Sequence, residues 1–389
     1  MAVGVDSRMR VAEKISDLGS IDGSSGKMDA VMRLLRPSVA ALPLRLQKSK
    51  EKAFHSTALL SSGLVDELNR SDADVFNLHW INSEFLSISD IARLRKPLVW
   101  TLHDMWAFSG AEHYGPDDKD ARWRVGYHAD NRLPGYAGLD IDRWVWCRKL
   151  KAWQRPIHIV TPSRWLAACA KASVIMRDWP VTVIPNPLDT RQYQPWPKAL
   201  ACQLLGLPAD ANLVVFGAIG GAQDLRKGWD LLLPALESLA AQRVEIECVI
   251  FGQSAPSKPP SVGLPLHWMG HLHDDATLAL LYSAADVVVV PSRQENLPQS
   301  GTEAHACGCP VVAFDCTGLS DVVVHGDTGY LANPYDIEDL ANGIRWVLES
   351  ADRRAHLAAA ARARALRLWA PEVVVPQYLN VYQKAAEAR

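Results

Sequence analysis

Long hydrophobic runs are missing from this chain. No eighteen consecutive apolar residues occur, so no helix is expected to span a membrane. The opening residues have no apolar stretch of the signal-peptide kind, and a cytoplasmic location is the expectation. Neither sign of charge dominates: Lys and Arg number 41 against 43 Asp and Glu, a net charge of −2, which argues against general nucleic-acid binding. Cysteine is sparse, seven residues scattered apart from Cys307-Gly-Cys309. With no export signal these read as reduced thiols. No second Cys or His pair with zinc spacing accompanies Cys307 and Cys309, which read as small residues at a helix end. The triplets Asp72-Ala-Asp74, Asp118-Lys-Asp120 and Asp140-Ile-Asp142 fall in polar turns or loops and are common by chance, so no metal is expected. No Ser-His-Asp or Cys-His arrangement stands out as a nucleophile, and no internal repeat or low-complexity tract is evident.

What is present describes an ordinary globular chain, 48% hydrophobic and 22% charged. At 389 residues it is too long for one typical domain, and two is the natural count. Short apolar strands alternate with helical patterns, which argues for parallel sheets with crossover helices. Strands are expected at 74–80, 97–102, 158–161 and 181–184 in the first half. In the second half they are expected at 213–216, 246–251, 266–269, 286–290 and 310–314. The domain boundary falls near Pro185-Asn-Pro187, where proline and asparagine break the pattern. The polar tract from Asp117 to Asp142 reads as a long loop, and the Ala- and Arg-rich tract from Ala351 to Leu368 as a helix.

The densest cluster of polar groups is Glu295-Asn-Leu-Pro-Gln-Ser-Gly-Thr-Glu303, between the apolar run 286–291 and Pro310-Val-Val-Ala-Phe314. This is strand, loop, helix, strand, with the polar groups where loop meets helix. Helix N-termini favour anions through their free N–H groups and macrodipole. Carboxylates on the loop and one turn or so into the helix accept hydrogen bonds from hydroxyls. A ligand with negative charge and several hydroxyls fits both, and a nucleotide sugar is such a ligand.

The spacing of Glu295 and Glu303 resembles the Glu-x7-Glu signature of GT-B glycosyltransferases of family 4, from roughly Asp74 to Glu349 and most densely from Leu213 to Leu331. Leu102-His-Asp-Met-Trp-Ala-Phe108, Pro162-Ser-Arg-Trp165 and Ile184-Pro-Asn-Pro-Leu-Asp189 are most similar to the colanic-acid and exopolysaccharide enzymes of that family. The resemblance implies an α/β, GT-B architecture of two Rossmann-like domains, here 1–186 on the acceptor side and 187–370 on the donor side. The terminal segment 371–389 would cross back onto the first.

The resemblance also implies residue roles. Lys227, in Leu225-Arg-Lys-Gly-Trp-Asp230 after a Gly220-Gly221 turn, matches the lysine that binds donor phosphates, and a compact ammonium suits a diphosphate. Arg226 would replace a second base that the family places after the preceding strand. Glu303 would grip the ribose hydroxyls and Glu295 would face the donor sugar. Asn296 and Leu297 would present backbone N–H groups. His103 would reach the donor sugar from the first domain, and Asp104 would orient the acceptor hydroxyl or His103. His79 and His113 read as structural.

The implied reaction is retaining transfer of a hexose from a UDP- or GDP-linked donor to a surface or lipid-linked glycan. No metal or other cofactor is implied, and the cleft closes for turnover. The chain's opening reads like the end of a first helix and a second strand, so the first strand and its glycine loop are expected to be missing. That keeps open a catalytically impaired homologue acting as a scaffold. A GT-B nucleotide-sugar epimerase is the other alternative. Fourteen tryptophans, nine before Pro185, are mostly expected in the core. The tract Lys27 to Lys52 carries seven bases among its leucines. It reads equally as an ordinary amphipathic helix or as a contact with an anionic membrane.

Overall fold

The computed structural model describes residues 6–12, 19–23, 27–48, 54–217 and 224–387, without the side chains of 27–30 and 33. The chain forms two compact units. One comprises Met1–Val160, Ala168–Thr182 and Tyr382–Arg389, the other Thr161–Ala167 and Val183–Val381. The main division at Thr182/Val183 lies just ahead of Pro185-Asn-Pro187.

The first unit is built on the strands β1 (Phe76–His79), β2 (Leu98–Thr101), β3 (His158–Thr161) and β4 (Val181–Val183), hydrogen-bonded in that order. The first three are parallel, with Leu78 beside Trp100 and Trp100 beside Ile159. All three of these side chains are buried. Helix α1 (Lys27–Ala40) precedes the sheet, and α2 (Ile141–Ala152) lies between β2 and β3. Met9–Arg10 pairs in parallel with Ile21–Asp22 as a separate two-stranded piece. The polar tract after Asp117 is mostly irregular, as its composition suggests, but contains a short helix at Arg122–Val125 and two residues of strand at Ala137–Gly138.

The second unit has six parallel strands: β5 (Leu213–Gly217), β6 (Glu247–Phe251), β7 (Leu266–Trp268), β8 (Val287–Val290), β9 (Val311–Phe314) and β10 (Gly329–Ala332). Their spatial order is β7-β6-β5-β8-β9-β10. Counted within the unit this is 3-2-1-4-5-6, the doubly wound order of Rossmann sheets. Central parallel strands are covered on both faces and read as unbroken apolar runs rather than alternating ones. The four valines of β8 and all four residues of β9 are buried accordingly. Helices α3 (Trp229–Ala241), α4 (Asp275–Ala284), α5 (Gln299–Ala306), α6 (Ile337–Leu348) and α7 (Ala351–Leu368) connect and cover the sheet. The last helix, α8 (Pro371–Glu387), is divided between the units at Val381/Tyr382. Within the first unit, Asn77 Nδ2 donates to Tyr382 Oη at 2.8 Å.

All nine expected strands are present, with ends shifted by at most two residues. The edge strand β10 was not expected. It is four residues long and begins on Gly329, where a Cβ would collide with the Val311 carbonyl. Strand order reverses between β5 and β8, and ligands of such sheets sit beyond the carboxyl ends of the strands at that reversal.

Candidate functional site

The loops after β5 and β8 meet at this reversal. After β5, residues 218–223 lie outside the described part, and with them the Gly220-Gly221 turn. The chain then makes a single 3-10 turn, Leu225–Lys227, which Asp224 caps by accepting from Arg226 N at 3.0 Å. Gly228 follows at φ 73°, and a Cβ there would strike the Pro291 carbonyl at the end of β8. This glycine lets the two loops touch. The Arg293 backbone N–H donates to Arg226 O at 2.8 Å. The Arg293 guanidinium binds both Asp230 carboxylate oxygens, at 2.8 and 2.7 Å.

Three of the expected residues converge here. Lys227 Nζ donates to Glu295 Oε1 at 2.6 Å, and Arg226 Nη1 lies 3.6 Å from the same oxygen. Ser292 Oγ donates to it at 3.2 Å. Arg226 is further held by Asp224 Oδ2 at 3.0 Å and by the Gln294 carbonyl at 3.2 Å. Both cations retain partial exposure, and Glu295 is nearly buried. The Glu295 main chain is clamped as well: its N–H donates to Thr317 Oγ1 and its carbonyl accepts from Gly318 N. The next residue, Asn296, accepts from the Ser163 hydroxyl at 2.7 Å, and Leu297 packs in the core. Helix α5 then starts with Pro298 as N-cap and no side-chain cap, so its first N–H groups are available to an anion.

Glu303 stands on α5 with a different partner, the Tyr282 hydroxyl of α4, which donates to it at 2.8 Å. Burial raises the Glu303 pKa, the Tyr282 hydrogen bond opposes this, and Asp275 adds to it. Burial also holds the Tyr282 phenol well above its usual pKa, with Glu303 next. Tyr282 therefore remains a donor.

In the first unit, His103 ends the β2 side and His79 ends β1. Their rings are joined, His79 Nδ1 to His103 Nε2, at 3.0 Å. Burial, then His103, lowers the pKa of His79 to about 4. Burial also lowers that of His103, while Asp104 opposes. The pair is neutral near pH 7, so one ring donates and the other accepts. His79, expected as structural, is thus the partner of His103.

Asp104 is committed elsewhere. Its Oδ2 meets His113 Nδ1 at 2.6 Å, its Oδ1 accepts from Trp106 N at 2.9 Å, and His113 Nε2 lies 2.8 Å from Ser56 Oγ. A Ser-His-Asp chain is therefore present, contrary to expectation. Its members are separated by 57 and 9 positions and carry no local signature. All three are buried, and the Ser56 N–H is occupied by the Ala111 carbonyl. This chain fixes the loop after β2 and presents no open nucleophile. Lys149, fully buried, completes the support by donating to the carbonyls of Trp106, Ser109 and Gly110.

Ser292, Thr317, Ser163, Tyr282 and the Arg293–Asp230 pair were not anticipated. Ser292 and Arg293 sit beside the Glu295 motif and were within reach of the sequence; Tyr282, in an apolar helix, gave no signal. Cys307 and Cys309 are buried at the end of α5. Among the described residues no group of three or more His, Cys, Asp or Glu is arranged to hold a metal.

Residues 219–364 match the family described as Glycosyl transferases group 1, and residues 37–192 match Glycosyltransferase Family 4. A D-inositol 3-phosphate glycosyltransferase of Xylanimonas cellulosilytica is 36% identical over 197 residues, 48% of this chain and 45% of that protein. Another, from Acidothermus cellulolyticus, is 27% identical over 389 residues, 90% of this chain and 77% of that one. At the higher identity the chain spans about half the length of the curated relatives it matches. Sucrose-phosphate synthase from Thermosynechococcus elongatus superposes with a TM-score of 0.65 at 20% identity, over 94% of this chain and 95% of that one. Anabaena HepE in complex with UDP gives 0.60 at 19% identity, over 83% and 81%. These structures share the fold alone, and the relatives' names do not single out the colanic-acid type. One glycosyltransferase family match lies in each half of the chain, over two Rossmann-like parallel sheets, and the chain has the GT-B fold of such enzymes.

Proposed function

We propose that this chain is a retaining glycosyltransferase that moves a hexose from a UDP- or GDP-linked donor to a saccharide hydroxyl, without a metal. The observation that carries the reading is the Lys227–Glu295–Arg226 cluster at the strand-order reversal of the second unit. Two cations share one carboxylate oxygen there, beside the uncapped start of α5. A diphosphate entering this site takes over part of the Lys227 ammonium and draws on the α5 N–H groups. Glu303 accepts from the ribose hydroxyls, and Asn296 and Leu297 face sugar and phosphate through their main chain.

In the reaction the bond from the sugar C1 to the phosphate oxygen breaks and the bond from the acceptor oxygen to C1 forms on the same face. The acceptor proton passes to the departing diphosphate. Lys227 and Arg226 stabilise the charge that develops on that group, which is where preorganised cations act most strongly. Glu295 supports the donor sugar and holds Lys227 in place. His103, its tautomer set by His79, offers a hydrogen bond to a sugar hydroxyl, and Asp104 acts through His113 on the loop that carries His103.

The acceptor we favour is a surface or lipid-linked glycan, on the loop motifs around His103 and Trp165. Peripheral contact with an anionic membrane fits the same setting. Leu34, Leu35, Val39 and Leu42 of α1 and the turn after it are exposed. The names of the relatives favour a second acceptor class, inositol phosphates. Incubation with UDP- and GDP-hexose panels and either acceptor class, with NMR assignment of the product anomer, tests the reading. A new glycosidic bond with the donor's configuration supports it. An inverted product, or an epimerised nucleotide sugar with no glycoside, overturns it.

A further inference from the structure

We propose that Phe54 and Trp80 form an exposed aromatic shelf in the first unit that binds a pyranose ring of the acceptor. This rests on the transferase reading above and extends it to a place for the acceptor. Most tryptophans of the chain are in the core, but Trp80 is 45% exposed and Phe54 beside it 54%. Their rings are 6.2 Å apart and within 17° of parallel. Both lie against the buried His113 ring, at 4.5 Å for Phe54 and 6.1 Å for Trp80.

The fold holds this shelf rigidly. Trp80 has φ 31°, and Ser83 and Glu84 in the same loop have φ 54° and 61°. Side-chain-bearing residues adopt such angles only when their surroundings enforce them. The loop is pinned by Leu86 N to Ile81 O at 3.1 Å and by Leu60 N to Glu84 Oε2 at 2.6 Å. Phe54 is fixed through its carbonyl, which accepts from His113 N at 3.0 Å. Arg148 ties the chain after it by donating to the carbonyls of Thr57 and Ala58. The Ser56–His113–Asp104 chain thus supports the shelf from beneath.

The chemistry selects the occupant. A pyranose has an apolar C–H face that packs on an indole or phenyl ring, and a rim of hydroxyls. Trp80 directly follows His79, whose ring is hydrogen-bonded to His103. The shelf therefore continues into a pair of imidazoles that can donate and accept hydrogen bonds. The other exposed tryptophans lack this setting: Arg148 covers the Trp144 ring at 4.8 Å, and Trp196 has no aromatic neighbour among the described residues.

Saturation-transfer NMR on the full chain tests the shelf, with maltotriose and methyl α-D-glucopyranoside as probes and vesicles of anionic phospholipid as the competing occupant. UDP binding by calorimetry is measured in parallel. We expect saturation of the pyranose ring protons, reduced about tenfold in Trp80→Ala and partly restored in Trp80→Phe. Phe54→Ala should show a smaller loss, and all variants should keep wild-type UDP affinity and circular dichroism. Equal saturation in wild type and Trp80→Ala, or no saturation by either sugar, overturns the proposal. So does vesicle binding that depends on Trp80 without any saccharide signal. Absence of UDP binding with a Trp80-dependent saccharide signal overturns the donor reading and leaves the shelf standing.

Discussion

The two units end their parallel sheets in opposite kinds of chemistry. Beyond β5 and β8 the second unit gathers charge: Lys227 and Arg226 on Glu295, with Arg293 on Asp230 alongside. Beyond β1 and β2 the first unit gathers neutral rings: the His79–His103 pair and the Phe54–Trp80 shelf over a buried Ser56–His113–Asp104 chain. The two chemistries suit different parts of a substrate. A diphosphate needs partly exposed cations that can exchange one anion for another. A sugar hydroxyl needs neutral donors and acceptors held in place.

The largest test of the contrast is Lys227→Ala. Removing the ammonium is expected to lower transfer by roughly 10²–10³-fold, the usual effect of deleting one preorganised charge-stabilising group. Steady-state rates at saturating donor check this. Glu295→Gln separates charge from shape. It releases Lys227 from its carboxylate, so UDP affinity should hold or rise by calorimetry. Transfer should still fall, on the order of tenfold or more. Parallel loss of both quantities would mean that Glu295 only holds the loop. Gly228→Ala should weaken the second unit by about 1–3 kcal/mol, since the position is left-handed and faces the Pro291 carbonyl. Urea titration measures it.

A separate test is stability against pH. Glu112 of the first unit is raised to about 8, by burial first and then by Asp142. A raised folded pKa means that the folded state holds the extra proton. Stability from this group is complete below the unfolded value of 4.5 and is lost as pH rises through about 8. His305 of the second unit runs the other way. Burial, then Arg364, lowers it to about 3, so its contribution is present above 6.5 and lost as pH falls toward 3. Chemical denaturation at pH 5 and pH 8 should show Glu112→Gln losing less stability than wild type over that interval.

Much of this was legible because the signals were local. The strands β8 and β9 are unbroken apolar runs, and Glu295 and Lys227 sit in short motifs just past strands. What escaped depends on tertiary pairing. Tyr282 meets Glu303 only when α4 packs beside α5. Ser56 reaches His113 across 57 positions. His79 read as structural because its partner His103 lies just past the end of the neighbouring strand, and β10 was too short and too dependent on Gly329 to show a strand pattern. The expectation about the opening strand and the Gly220-Gly221 turn involves residues that lie partly or wholly outside the described part.

The most direct test of the account is calorimetry of UDP and GDP with wild type, Lys227→Ala and Glu303→Ala. The account predicts that one nucleotide binds wild type with a clear preference. It predicts weaker binding, by roughly 10- to 100-fold, in each variant, since a lost charged hydrogen bond costs about 1.5–3 kcal/mol. Binding of neither nucleotide, or the same affinity in Lys227→Ala as in wild type, would contradict it.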